Sequence, residues 1–235
     1  MSLDIRGFIE TSLVDWDGKI VGVIFLPGCN FRCPFCQNIG LIDHPEKYKS
    51  IPEDRIIKYL DSHKNFIDGI CITGGEPTLQ KNNGLTELIS KIKRGGFLVK
   101  LDTNGTDPEY LKYLINKKLI DFVAMDIKAP FDLYNRSTNV KVNIEDIKRS
   151  VEILKSTGID YEFRTTMVPT LIGEKEIETI ARALEGSKKY VLQQFEPENC
   201  EDIELKKLKP YDSETVKKFV ETAKRFINNV KYRGK

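Results

Sequence analysis

Three cysteines, Cys29, Cys33 and Cys36, fall within eight residues of the stretch 28-GCNFRCPFCQN-38. Thiolates at this density suit zinc or an iron–sulfur cluster. Structural zinc takes four protein ligands, commonly as two short pairs. No second pair exists here. His44, eight residues after Cys36, could serve as a fourth ligand, and His63 is more distant. Three thiolates on one tight loop suit a cubane cluster differently. They hold three irons and leave the fourth without a protein ligand. An open coordination position is how a metal centre admits a substrate. The remaining two of the five cysteines read otherwise. Cys71 sits in an apolar strand and is expected in the core. Cys200, in 196-EPENCEDIE-204, is expected as a free surface thiol.

The loop needs a scaffold, and the rest of the chain alternates. A hairpin is expected from 5-IRGFIETSLV-14, an Asp17-Gly18 turn and 19-KIVGVIFL-26. Helices are expected over 52–63, 84–94, 108–117, 143–157, 174–185 and 212–228. Strands 68-DGICIT-73, 97-FLVKLD-102, 121-DFVAMDIK-128, 160-DYEFRTTMV-168 and 189-KYVLQQF-195 are expected among them. Six βα units in series imply a parallel sheet with helices outside it. That is too few for a closed eight-stranded barrel, so the expected fold is α/β, an open partial (β/α)6 barrel with an N-terminal β-hairpin. One domain is expected over 1–235, with the hairpin at about 1–26 and the partial barrel at about 19–228. The cysteine loop, TGGEP, DTNG, MDIK and QQFEP each follow a strand. One such motif is an ordinary turn; five at the same sheet end favour a shared site.

Composition narrows the classes. Apolar residues make up 40% of the 235 residues and charged residues 31%, as in a globular protein. Lys plus Arg is 37 and Asp plus Glu is 35, which argues against a dedicated nucleic-acid binder. The longest apolar run, 20-IVGVIFLPG-28, is too short to span a bilayer. The first residues show no secretory signal, so a cytoplasmic protein is expected. An odd, clustered cysteine set argues against a disulfide framework.

The spacing C-x-x-x-C-x-aromatic-C, with Phe35 before Cys36, resembles the radical S-adenosylmethionine superfamily. The flanking GC and QN, GGEP, DTNG and the later D-x-K favour its glycyl-radical-enzyme activating branch. The chain is most similar to activating proteins of anaerobic ribonucleoside-triphosphate reductase, over nearly its whole length. The resemblance implies a [4Fe-4S] cluster on Cys29, Cys33 and Cys36, with S-adenosylmethionine on the unique iron. It places the Phe35 backbone near the adenine, with Gln37 and Asn38 closing the loop. Gly74, Gly75 and Glu76 match the family's GGE motif and would meet the methionine ammonium. Asp102 and Asp126 would hold a monovalent cation against the cofactor carboxylate, since two unbalanced acids repel. Lys128 would reach the ribose or carboxylate, or else stand as a solvated rim lysine, and Arg164 would point into the barrel toward the cofactor. The best-known activating enzymes have a histidine near the adenine after the sixth strand. Here 193-QQFEP-197 has none, and the adenine contact passes to Gln194 or Glu196.

The implied chemistry is reductive cleavage of S-adenosylmethionine to a 5′-deoxyadenosyl radical. That radical would abstract an α-hydrogen from one glycine of a partner glycyl radical enzyme. The cofactor carries this chemistry, so no general-base dyad and no catalytic side chain is required. A low-potential donor such as flavodoxin or ferredoxin would supply the electron. No nucleic-acid or membrane partner is implied. Two alternatives stay open. One is a radical S-adenosylmethionine enzyme acting on a small molecule, in the manner of 7-carboxy-7-deazaguanine synthase. The other is a zinc-stabilised binding module using Cys29, Cys33, Cys36 and His44.

Overall fold

The computed structural model describes residues 3–200 and 202–234. Met1, Ser2, Glu201 and Lys235 lie outside the described residues, so the ends of the expected 1–235 span are not covered. Eight strands pair in chain order: β1 Gly7–Ser12, β2 Val21–Leu26, β3 Gly69–Gly74, β4 Leu98–Thr103, β5 Phe122–Asp126, β6 Asp160–Met167, β7 Tyr190–Gln194 and β8 Val230–Arg233. The sheet is mostly parallel and is led by the antiparallel β1–β2 hairpin. Its order is linear, with β1 and β8 at the two ends, as an open partial barrel requires. The chain divides into two compact units, and β5 contributes to both.

The first unit runs to Asn30 and resumes over Asn38–Thr103 and Asp107–Ala124. It holds helices α1 Ile39–Asp43, α2 Glu53–Ser62, α3 Leu85–Arg94 and α4 Pro108–Asn116. Trp16, Val21, Val23 and Cys71 form one buried cluster, flanked by Phe25, Leu98 and Phe122. Ile24, Ile70, Ile72, Val99 and Leu101 alternate with them and are also buried. Burial on both faces is what makes these strands read as continuous apolar runs. In α3, Leu85, Leu88, Ile89 and Ile92 recur at helical spacing and are buried. The Asp107 side chain accepts from the Tyr110 N–H at 3.0 Å and so starts α4.

The second unit comprises Phe31–Gln37, Asn104–Thr106 and Met125 onward. It holds α5 Tyr134–Thr138, α6 Ile144–Ser156, α7 Glu174–Ala183, α8 Ile203–Lys206 and α9 Ser213–Lys224. Strands β6, β7 and β8 pair in parallel. Strand β8 was not expected from the sequence. Only Val230 is buried in it, and its charged residues hide the strand period. Its Arg233 instead reaches the carboxylate of Glu162 on β6, at 2.9 and 3.3 Å.

Candidate functional site

In the first unit, both ends of the cysteine loop are tied to the GGEP segment. The Gly75 N–H donates to Leu26 O and the Glu76 N–H to Gly28 O, each at 2.8 Å. The Asn38 side-chain amide donates to Gly74 O at 2.9 Å. A Cβ on Gly75 would collide with the Gly28 carbonyl, and Gly74 has φ of 119°, so both positions need glycine. Gly75→Ala should therefore loosen the loop's anchor. We expect a fall of several degrees in the thermal midpoint, read by circular dichroism, and a midpoint equal to wild type would refute this anchoring.

Glu76 is 1% exposed. Its Oε1 accepts from the Thr78 N–H at 3.1 Å, the Thr78 hydroxyl at 2.7 Å and the Thr103 hydroxyl at 2.8 Å. The acid thus braces GGEP against the start of DTNG, a role the sequence reading missed. Asp102 lies one residue before Thr103 and is likewise engaged. Lys100 Nζ stands 2.5 Å from its Oδ1. The expectation that Asp102 requires an external cation does not take account of this lysine. Its only sequence signal is a single basic residue within 97-FLVKLD-102.

The second unit carries the loop's middle. The Arg32 N–H donates to Thr138 O at 2.8 Å, and the Phe31 ring meets Tyr134 edge-on with centroids 6.3 Å apart. Helix α5, not expected from the sequence, thus supports the loop. Cys33 is buried, Cys36 is partly buried, and the Cys36 N–H donates to Cys33 O at 3.0 Å. Asp126 accepts from Arg164 Nε at 2.7 Å and from Lys128 Nζ at 2.9 Å. Burial opposes ionisation of Asp126, but Arg164 and then Lys128 outweigh it and hold its carboxyl well below the usual range. Burial likewise works against the Lys128 charge. Asp126 first, then the Cys33 and Cys36 thiolates, overcome this and raise its pKa. The Lys128 ammonium also lies 6.0 Å from the Phe35 ring centroid. Lys128, Asp126, Arg164, Phe35 and two cysteines are therefore brought together. Asp126, like Asp102, already has protein cations beside it.

Other placements differ from the sequence reading or add to it. Gln194 falls on the strand face opposite Arg164, and its amide donates to Tyr211 O at 3.0 Å. Register puts Gln193 on the Arg164 face instead, paired with Thr166. Counting by twos from the Arg164 partner Val191 would have found it. Cys200 is not a surface thiol: it is 2% exposed, its Sγ donates to Pro197 O at 3.0 Å, and burial raises its pKa. His44 pairs with Glu46 at 3.3 Å, and His63 stacks on Tyr59. Among the described residues, no group of three or more His, Cys, Asp or Glu side chains is placed to hold a single metal ion. Cys71 is core, as expected.

Residues 23–185 match the model of the radical SAM superfamily. The chain belongs to that superfamily. A protein of Methanocaldococcus jannaschii, provisionally named a glycyl-radical enzyme activating enzyme, is 37% identical over 230 residues, covering 96% of this chain and 94% of that one. A second protein of that organism with the same provisional name is 32% identical over 166 residues, 67% of this chain and 60% of its own. Streptococcus suis SuiB bound to S-adenosylmethionine superposes with a TM-score of 0.67 at 15% identity, over 90% of this chain and 52% of that one. This last likeness shows the fold; the chain spans about half the length of SuiB. This radical SAM chain is thus related to activating enzymes, and among the described residues no helix is long and apolar enough to cross a membrane.

Proposed function

We propose that this radical SAM protein is an activating enzyme that generates a glycyl radical on a partner enzyme; its motifs favour the activating branch, and its similarity to activating proteins of anaerobic ribonucleoside-triphosphate reductase points to that enzyme as the partner. The observation that carries the reading is Lys128, held by Asp126 beside the thiols of Cys33 and Cys36. A cation there favours the thiolate form that ligates iron. The names of the two Methanocaldococcus relatives support the class of protein substrate.

The donor set fits a cluster with three cysteine ligands. Cys29, Cys33 and Cys36 are unbridged thiols on one loop. Each would meet a different iron, so the sulfurs need not converge on one point. A cluster held by Cys29, Cys33 and Cys36 would supply the one electron needed for reductive cleavage of bound S-adenosylmethionine, and so the radical chemistry directed at the glycine α-hydrogen. The chain's own part is placement. The backbone ties at Gly75, Glu76 and Asn38 fix the loop. Lys128 and Arg164 present positive charge suited to the carboxylate of S-adenosylmethionine. Phe31 of the loop packs edge-on against the Tyr134 ring. Flavodoxin or ferredoxin is the class of donor such chemistry needs.

The test is anaerobic. Reconstituted protein is reduced, mixed with S-adenosylmethionine and the partner reductase, and read for 5′-deoxyadenosine and a glycyl-radical doublet in electron paramagnetic resonance. Both signals are expected. If 5′-deoxyadenosine forms but no partner gains a radical, the substrate is not a glycyl radical enzyme.

A further inference from the structure

Strand β4 carries a lysine whose ammonium lies inside the protein. The Lys100 side chain is 2% exposed. Its Nζ is 2.5 Å from Asp102 Oδ1 and 3.6 Å from Cys71 Sγ. The Cys71 thiol in turn points at the same Oδ1, 3.7 Å away. Register explains the meeting: Cys71 on β3 pairs with Lys100 on β4, and Asp102 lies two residues further along the same face. All three belong to the first unit.

This arrangement does not fit a monovalent cation at Asp102. A carboxylate draws a cation because its charge is unbalanced. Here a tethered ammonium already balances it at contact distance. A second cation beside the same oxygen would face Lys100 as a like charge, in surroundings that screen poorly. Sodium or potassium would also have to lose its water to gain a ligand already engaged.

We propose that Lys100 is the resident cation of the Asp102 position. Its ammonium neutralises and orients Asp102 in place of a dissociable ion. Cofactor binding by this chain is then independent of monovalent cations. Lys100 acts through Asp102 and is a positioning residue. The inference rests on the proposed function for what the site holds, but the claim about cation binding is tested separately.

The experiment is a thallium(I) titration of the full-length reconstituted protein, followed by thallium-205 NMR, with tetramethylammonium as the only other cation. It is run with and without S-adenosylmethionine and is competed with potassium. Wild type should show no saturable, potassium-displaceable thallium signal. Its affinity for S-adenosylmethionine, by equilibrium dialysis, should change less than about twofold on adding potassium, below the range of linked sites. Lys100→Met should gain a displaceable thallium site, and its thermal midpoint should rise with potassium by mass action. Lys100→Arg should behave as wild type. Displaceable thallium on wild type overturns the proposal. So does a folded Lys100→Met protein that binds none. If Lys100→Met does not fold in tetramethylammonium, the wild-type titration alone decides. Absence of 5′-deoxyadenosine in every buffer would sink the functional reading instead, and the thallium result would stand.

Discussion

Cys33→Ala, reconstituted anaerobically with iron and sulfide, should lack the brown cluster absorbance and form no 5′-deoxyadenosine. Cys33 is the most buried of the three loop cysteines, 8% exposed, and its carbonyl accepts from the Cys36 N–H. With only three thiolates available, loss of one leaves two irons without protein ligands. Cys71→Ala and Cys200→Ala are the controls, since both thiols are buried, lie outside the loop in sequence, and should not be needed to retain iron. Lys128→Met separates ligation from cofactor binding. The three cysteines remain, so iron and sulfide should load fully. Asp126 keeps Arg164 as its partner at 2.7 Å, so the fold should hold. Cleavage of S-adenosylmethionine should nevertheless fall about a hundredfold, the scale expected when one preorganised charge is removed from a site. If Cys33→Ala loads iron and cleaves S-adenosylmethionine as wild type does, the three-cysteine assignment fails. If Lys128→Met cleaves normally, Lys128 is a bystander.

The framework of the candidate site was legible because its signals are local. Cysteine spacing, a glycine pair ending a strand and acids at strand ends survive in a bare sequence. The helices were legible for the same reason: Leu85, Leu88, Ile89 and Ile92 show their period without any partner. What escaped was decided by contacts distant in the chain or by the side of the backbone that a residue takes. Strand β8 is set by its pairing with β7 and by the reach of Arg233 to Glu162, 71 residues away. Helix α5 is a single turn and a half whose value lies in holding Arg32 and Phe31. Asp102 and Asp126 looked like acids in need of a cation. The lysines and arginine that answer them lie two residues away on the same face, or on a neighbouring strand. Cys200 looked exposed because its neighbours are polar, yet a short turn at Pro197 folds its thiol inward. Sequence polarity reports the average surroundings of a segment, not the side of the backbone on which one atom lies.

Glu162→Ala should lower stability by about 3 kcal/mol, the low end for breaking a buried ion pair by removing one partner. For a chain of this size that is a fall of about 10 °C in the thermal midpoint. The Glu162 side chain is 2% exposed and meets Lys189 Nζ at 2.7 Å and both terminal nitrogens of Arg233. Removing it leaves two cations without their shared carboxylate and removes the side-chain tie between β6 and the last strand, which keeps its backbone pairing with β7. The effect carries a pH signature. Burial raises the Glu162 pKa, but the Arg233 hydrogen bonds, then the field of Arg164 and the Lys189 hydrogen bond, overcome this and lower it from 4.5. A carboxylate lowered on folding stabilises fully above its unfolded value. That contribution is lost as pH falls through the folded value. The gap between wild type and Glu162→Gln should therefore be widest near neutrality and close as pH drops below about 4.5. Thermal melts from pH 7 to pH 3 measure it. A gap that stays constant over that range would mean that the glutamate acts by packing alone and that its charge does not hold β8 in place.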